Sequence, residues 1–238
     1  MVATADARTF DSIATAMAGN PLLQDVPRRS IRDLALSGAL RRYRRGTYLY
    51  HQGDESTDVC FLWTGRVEVS SVSVTGHRQF LTTLDRPQFF GELGVLGDSR
   101  RTATAMASED SAVWATAGDR FLGFLSGHFS AARALLRSLV AQIAAHEAFV
   151  EDLLYLDLKG RVAKRLLQLV SPSMDEPPRD GSLLPSVVTH ADLASLCGGS
   201  RENVTRILTE LQKRGLVRRD GRRYELRNVA GLRRLAGL

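Results

Sequence analysis

Between about Arg44 and Leu125, short hydrophobic segments alternate with turn residues. Each segment is rich in β-branched or aromatic side chains, and glycine-containing turns separate them, which is typical of strands. The predicted strands are Thr47–Tyr50, Val59–Trp63, Val67–Val74, Phe80–Leu84, Thr102–Ala107 and Ala112–Ala117. Strands of this length at this spacing predict an antiparallel sandwich or barrel.

After these strands the apolar residues follow the period of a helix. They form a stripe with alternating spacings of three and four residues, apolar at every position but one. The stripe consists of Phe129, Ala132, Leu136, Leu139, Ile143, His146, Val150 and Leu153, and Leu135, Val140 and Leu154 widen it toward the sheet. A seam sustained over several heptads predicts a long helix that pairs with a copy of itself. The alternative is a single amphipathic helix that lies on the sheet of its own domain.

The C-terminal part has the pattern of a winged helix. Beyond a loop at Ser171–Pro185, Thr189 opens a capping box for one short helix, and Ser200 is a suitable N-cap for a second. Gly198 and Gly199 separate the two helices, as in a helix-turn-helix. The following segment, Val217–Leu226, predicts a hairpin with Asp-Gly at its turn.

The second of these helices offers a polar face suited to base pairs. Its outward residues are Arg201, Glu202, Thr205, Arg206 and Thr209. Arginine donates two hydrogen bonds to guanine and glutamate accepts one from cytosine, so this face favours G·C pairs. Thr189 and the wing arginines are candidate phosphate contacts; these arginines are Arg218, Arg219, Arg222 and Arg223.

Charge supports a polyanionic partner for the same part of the chain. The 238 residues have a net charge of +6. Residues 1–156 carry 16 basic and 17 acidic side chains, a net of −1, whereas residues 157–238 carry 16 and 9, a net of +7. Excess positive charge of this kind favours nucleic acid. A small-molecule or protein-interaction module with a merely solubilising basic tail is the alternative from another class.

Other classes of protein are disfavoured. No stretch reaches the ~18 apolar residues of a membrane helix, and no secretory signal is visible, so we expect a cytoplasmic protein without membrane contact. The two cysteines, Cys60 and Cys197, cannot form a four-thiolate cluster. The histidines lack metal-ligand spacing, and no catalytic motif is present, so neither a metal site nor an enzyme is expected.

The segment Ser200–Arg206 resembles the recognition helix of a transcription-regulator superfamily, that of the cyclic-AMP receptor protein and the fumarate–nitrate reductase regulators. Leu156–Ala163 is similar to the family's hinge and the helix after it. The resemblance covers about residues 20–230. It implies an α+β fold with an N-terminal antiparallel β-roll of the jelly-roll, cyclic-nucleotide-binding type, a long dimerisation helix and a C-terminal winged helix-turn-helix. The corresponding domains are 1–127, 128–156 and 157–238.

The same resemblance assigns DNA contacts and partners. Arg201, Glu202 and Arg206 would contact bases, and Thr189 and Ser200 would contact the backbone of double-stranded DNA. Family members with these readers favour TGTGA half-sites, so a homodimer would bind a TGTGA-N6-TCACA palindrome. RNA polymerase is a further candidate partner.

Phe90–Leu96, followed by Arg100–Ala105, resembles the family's phosphate-binding cassette. The resemblance implies that a short helical turn at Gly91, Glu92 and Leu93 offers backbone N–H groups to an anion, and that Glu92 accepts a hydrogen bond from the ribose 2′-OH. Arg101 would neutralise the cyclic phosphate and Thr102 would add a hydroxyl donor. The spacing from Glu92 is one residue shorter than in the cyclic-AMP receptor protein, so Arg100 remains an alternative phosphate ligand.

The family reaches adenine with two adjacent hydroxyl residues on the long helix. His146 and Glu147 stand at those positions in this chain. Either side chain can hydrogen-bond to a purine edge, but the hydroxyls are absent. The resemblance as a whole still favours cyclic AMP as the effector, with cyclic GMP, another effector or none as alternatives.

Overall fold

The structure is a computed structural model that describes residues 6–72, 78–171, 177–184 and 188–238. Parts of the predicted strand Val67–Val74 and of the predicted loop Ser171–Pro185 lie outside the described residues. The chain divides into two compact units, Met1–Gln142 and Ile143–Leu238. Among the described residues, no helix is both long and apolar enough to cross a bilayer.

The first unit begins with helical segments that the sequence analysis did not predict. These are α1 (Ala7–Ala18), a 3₁₀ turn at Pro21–Leu23 and α2 (Arg28–Leu36). The Asp6 side chain caps α1 by accepting a hydrogen bond from the Thr9 N–H at 2.9 Å. Ile13 and Met17 of α1 are fully buried and lie four positions apart, on one face of the helix.

Two four-stranded antiparallel sheets form the β-roll. The strands are β1 (Ala39–Tyr43), β2 (Tyr48–Tyr50), β3 (Asp58–Thr64), β4 (Val67–Val72), β5 (Arg78–Leu84), β6 (Gln88–Phe90), β7 (Thr104–Ala107) and β8 (Ser111–Ala117). One sheet has the order β1-β8-β3-β6 and the other β2-β7-β4-β5. All six predicted strands overlap observed ones. The prediction missed β1, which contains two arginines, and β6, which has only three residues.

The sheet that contains β3 is buried on both faces. Cys60 and Leu62 pack in a cluster shared with the other sheet, whereas Val59 and Phe61 pack in a cluster with the helices. Successive side chains of a strand point to opposite faces, so a strand covered on both sides is apolar at consecutive positions. Trp114 of β8 packs with the helices, and its Nε1 donates to the Ala35 carbonyl at 2.8 Å.

Helical elements flank the cassette and follow the roll. They are α3 (Glu92–Leu96), α4 (Gly118–Gly127) and α5 (Phe129–Tyr155). The predicted stripe of α5 divides into two parts. Leu135 is buried with the helical cluster, whereas Leu136, Val140 and Ile143 are between 57% and 64% exposed. Val140 and Leu154, for which contact with the sheet was predicted, are both exposed.

The second unit continues α5 with a winged helix. Its elements are α6 (Leu158–Val170), α7 (His190–Cys197), α8 (Arg201–Lys213), β9 (Val217–Asp220), β10 (Arg223–Leu226) and α9 (Val229–Leu235). One apolar cluster holds them together, with Leu166, Leu193 and Leu208 fully buried at its centre. The hairpin pairs Asp220 with Arg223, so its two turn residues lie one position beyond the predicted Asp-Gly pair.

Candidate functional site

The cassette is built around a glycine with a left-handed backbone. Gly91, with φ +77°, ends the β6 segment and starts α3. A Cβ at this position would lie 2.5 Å from Nη1 of Arg101, so a larger residue would displace the arginine. Gly94, one turn later, is packed so closely against Ser56 that a Cβ there would lie 2.4 Å from its Oγ. The two glycines allow the turn to approach neighbouring side chains closely.

Arg101 lies inside the roll and is only 5% exposed. Its Nη1 donates to the Gly91 carbonyl at 2.7 Å, its Nη2 forms an ion pair with Asp58, and its guanidinium stacks on the Tyr50 ring at 4.2 Å. Its Nε is buried without a hydrogen-bond acceptor among the described residues. Arg100, by contrast, is exposed and donates to the Gly53 carbonyl at 2.8 Å. Of these two arginines, Arg101 is therefore the one whose guanidinium contacts Gly91, and the residues around this guanidinium are called the pocket below.

Burial makes the other polar groups of this pocket harder to ionise. Burial raises the pKa of Glu92, although the nearby Arg101 acts in the opposite direction. Burial also raises the pKa of Tyr50, so its phenol stays neutral. The pKa of the Cys60 thiol rises to about 12, through burial first and Asp58 second, so the thiol is not a reactive nucleophile.

The predicted effector residues fall into two groups. Gly91, Glu92 and Arg101 come together in the first unit, and Leu93 and Thr102 are exposed beside them. His146 and Glu147 are exposed on α5, in the part that belongs to the second unit. Sequence reasoning missed three members of the pocket, Asp58, Arg41 and Tyr50, because contacts distant in sequence define them. No group of three or more His, Cys, Asp or Glu side chains suited to a metal occurs in the described segments.

The helix-turn-helix is fixed at both helix starts. Thr189 and Asp192 form the predicted capping box, with each side chain bonded to the other residue's backbone N–H at 3.1 and 2.9 Å. Gly198 ends α7 in the left-handed conformation, with φ +63°. Ser200 then caps α8 by accepting from the Asn203 N–H at 3.2 Å. These caps are confirmed, and they determine where α8 begins.

The N-terminal end of α8 presents an exposed polar face. Arg201, Glu202 and Arg206 are exposed, and Nη2 of Arg206 donates to Oδ1 of Asn203 at 2.7 Å. Thr205 differs from the prediction. It is half-buried, its Oγ1 donates to the Arg201 carbonyl at 2.7 Å, and it also bonds to His190, so its hydroxyl is already engaged.

His190 was missed by the sequence analysis, although it connects three elements of the winged helix. From the start of α7, its Nδ1 lies 2.8 Å from Oγ1 of Thr205 in α8, and its Nε2 lies 2.8 Å from the Tyr224 hydroxyl in β10. The hydroxyl hydrogen of Thr205 is used for the Arg201 carbonyl, so Nδ1 must donate and Nε2 of the neutral ring must accept. Burial first, then Arg219 and Arg201, lowers the pKa of His190.

The wing arginines are not equivalent. Arg218 is held by buried Glu225, with Nε and Nη2 at 2.8 and 2.6 Å from Oε2. Arg222 and Arg223, at and after the turn, are exposed and form no ion pair with another described residue. They are therefore better placed than Arg218 to neutralise phosphates.

Comparison with known families matches both halves of this arrangement. The cyclic nucleotide-binding domain family matches residues 40–128, and the Crp-like helix-turn-helix domain family matches residues 160–235. The chain belongs to the CRP/FNR superfamily. This is the superfamily of the cyclic-AMP receptor protein and the fumarate–nitrate reductase regulators. As a member of this superfamily, the protein is a DNA-binding transcription regulator with a cyclic nucleotide-binding domain.

Similar proteins cover three quarters of the chain or more. The cyclic AMP receptor protein of Thermus thermophilus is 29% identical over 92% of this chain and 98% of its own length. A CRP-like cAMP-activated global transcriptional regulator of Mycobacterium tuberculosis is 26% identical over 76% of this chain and 80% of its own. The crystal structure of the Thermus thermophilus catabolite activator protein is 28% identical and has a TM-score of 0.53. The match covers 92% of this chain and 99% of the Thermus chain.

Proposed function

We propose that the chain is a homodimeric regulator that binds a TGTGA-N6-TCACA-like palindrome under the control of a cyclic nucleotide, with cyclic AMP as the first candidate. The observation that supports sequence-specific binding is the exposed start of α8. Arg201, Glu202 and Arg206 are solvent-exposed there, on a helix whose start is fixed by the Ser200 cap. In this proposal residues 1–127 bind the effector, 128–156 form the dimer helix and 157–238 bind DNA.

Dimerisation is supported by the exposed side of α5. Large apolar residues recur along it, and an exposed apolar surface of this extent is typical of an interface. They are Leu136, Val140, Ile143, Val150 and Leu154. A two-fold dimer would place two recognition helices in successive major grooves about one helical turn apart, which matches a palindrome. The substitution Ile143→Glu is expected to yield monomers in sedimentation experiments, whereas Glu151→Gln, at an exposed position of the same helix, should remain dimeric.

The pocket suits a cyclic phosphate. The Nε of Arg101 is buried without an acceptor among the described residues, and the adjacent Nη2 pairs with Asp58. A phosphate that replaced Asp58 would accept hydrogen bonds from both nitrogens. Glu92 would accept from a ribose hydroxyl, and Thr102, His146 and Glu147 are the remaining proposed ligand contacts. Relatives named as cAMP-activated regulators support cyclic AMP.

A second candidate is the same DNA-binding dimer with another effector or none. His146 and Glu147 replace the family's hydroxyl residues, which favours a base contact of a different kind. The fold also serves other effectors: a structure at 21% identity and TM-score 0.64 is described as the c-di-GMP responsive global regulator CLP of Xanthomonas campestris.

Fluorescence anisotropy of a labelled TGTGA-N6-TCACA duplex against a scrambled duplex tests both candidates. At fixed salt we expect at least about a thousandfold preference for the palindrome, strengthened by cyclic AMP. A preference that cyclic AMP leaves unchanged would favour the second candidate. Equal, weak binding to both duplexes would reject the proposed operator.

Two arginine variants separate base reading from phosphate contact in the same assay. Arg201→Ala should reduce discrimination at one guanine by about 1–3 kcal/mol, because it removes a bidentate base contact. Arg222→Ala should weaken binding to both duplexes equally and reduce the salt dependence, since exposed wing arginines contact phosphate. If both variants behaved alike, these roles would be wrong.

A further inference from the structure

Asp58 holds two arginines at once from the start of β3. Its Oδ1 pairs with Nη2 of Arg101, and its Oδ2 pairs with Nη1 of Arg41 at 2.7 Å. The side chains of Asp58 and Arg101 are 16% and 4% exposed, so water screens their attraction only weakly. The arginine expected to bind the effector phosphate is therefore already neutralised by a carboxylate of the chain itself.

The contacts of Arg101 show which edge of its guanidinium remains for a ligand. Nη1 donates to the Gly91 carbonyl, and the ring of Tyr50 covers one face. Nε and Nη2 form the edge that binds two oxygens of a phosphate in parallel. Asp58 occupies Nη2, whereas Nε is buried and lacks an acceptor in the described part of the chain. Half of the phosphate-binding edge is thus unsatisfied and half is occupied by Asp58.

We propose that Asp58 is an internal competitor of the anionic effector. A phosphate binds the Nε–Nη2 edge of Arg101 when the Asp58 carboxylate releases Nη2 and keeps Arg41 as its partner. Arg41 lowers the cost of this exchange, because the released carboxylate is never left without a cation. Asp58 thereby sets the affinity of the pocket for anionic ligands, an inference that rests on the proposed function of this pocket as the effector site.

Isothermal titration calorimetry with cyclic AMP and with adenosine tests the inference. Asp58→Asn keeps the size of the side chain and removes its charge, so we expect cyclic AMP to bind about tenfold more tightly, which corresponds to ~1.4 kcal/mol. Adenosine lacks the phosphate, so its affinity should not change. The matched control is Glu55→Gln, which removes an exposed carboxylate three residues earlier in the chain. Unchanged or weaker binding of cyclic AMP to D58N, or an equal gain for adenosine, would overturn the inference.

A second pair of variants tests the role of Arg41 and remains informative if D58N does not fold. Arg41→Gln leaves Asp58 with Arg101 as its one ion-pair partner among the described residues, so cyclic AMP should bind more weakly. Arg42→Gln removes the neighbouring, exposed charge of β1 and controls for the general loss of positive charge. The inference requires that R41Q lose more affinity for cyclic AMP than R42Q. Where D58N folds, this difference must also vanish in the D58N background. Equal losses would contradict it.

Inorganic phosphate separates a failure of this inference from a failure of the proposed effector. If cyclic AMP binds neither the parent protein nor D58N, the unfolding temperature is compared in phosphate and in chloride at equal ionic strength. A phosphate-dependent rise in Tm for D58N alone would support the competitor role and reject the cyclic nucleotide. No rise in either protein would reject both. Equal binding of cyclic AMP to the two proteins would reject the competitor role and keep the effector.

Discussion

Replacing His190 tests whether one side chain couples the recognition helix to the wing. His190→Phe keeps a ring of similar shape and removes the hydrogen bonds to Thr205 and Tyr224, both 2.8 Å long. Each such bond contributes roughly 0.5–1.5 kcal/mol net, and His190 is only half-buried. Two such bonds together contribute roughly 1–3 kcal/mol. We expect the lower part of that range, a loss of about 1–2 kcal/mol in the local stability of the winged helix.

The dependence on pH has a definite sign. The pKa of His190 in the folded protein is lowered below the ordinary value of 6.5, so the unfolded chain binds a proton more readily. The contribution of neutral His190 is therefore complete above pH 6.5 and is lost as the pH falls below that value. The variant cannot take up this proton, so the difference between parent and variant should be largest at pH 8 and smaller at pH 5.

Hydrogen exchange of α7 and α8 peptides measures this loss, and tryptophan fluorescence supplies an internal control. Both tryptophans, Trp63 and Trp114, lie in the first unit, so their urea transition should not move. Exchange in α7 and α8 should become about 5- to 30-fold faster at pH 8. Tyr224→Phe should have a smaller effect that does not add fully to that of H190F. An exchange difference that is the same at pH 8 and pH 5 would refute the reasoning.

Three further changes address the first unit through the same tryptophan transition. Gly91→Ala should lower the free energy of unfolding by about 2 kcal/mol or more and weaken cyclic AMP binding, because it combines a left-handed φ with a contact to Arg101. The control is Gly53→Ala, at a position with φ +90° and open space around it. It should cost only about 1 kcal/mol of stability and leave binding intact. Glu92→Gln should raise stability at pH 7 but not at pH 4. The pKa of Glu92 is raised in the folded protein, so its ionisation at pH 7 disfavours the folded state, and glutamine removes this cost. Equal effects at both pH values would contradict this. Phe61→Ala should cost about 3–5 kcal/mol because the ring is fully buried, and a loss under 1 kcal/mol would be inconsistent with this packing.

Local chemistry explains which elements the sequence predicted correctly. The capping box at Thr189, the cap at Ser200 and the glycine at Gly198 lie within a few residues of the backbone groups they serve. Such contacts depend only on neighbouring residues, so their pattern is visible in one sequence. The strands were predictable for the same reason, since β-branched residues between glycine turns reflect local conformational preference.

Tertiary context determines the features that were missed. The ion pair of Asp58 with Arg101 joins residues 43 positions apart, and His190 meets Tyr224 34 positions later. Neither partner has a local signature. The orientation of Val140 and Leu154 was misjudged because a broad apolar stripe does not reveal which of its sides the sheet covers. The engagement of the Thr205 hydroxyl was missed because helix periodicity reports direction, not hydrogen bonding.

The pairing of β1 with β8 has a consequence for the order of folding. Ala39 pairs with Ala115, and Trp114 reaches back to Ala35 across 79 residues. Closing so long a loop costs entropy before its contacts form, so sheets with distant partners fold slowly. The second unit instead joins β9 and β10 through a two-residue turn and places α7 next to α8. During synthesis the first unit must wait for β8 to emerge. In the second unit the hairpin and the pair α7–α8 can form from neighbouring segments, whereas their common core with α6 waits for α9.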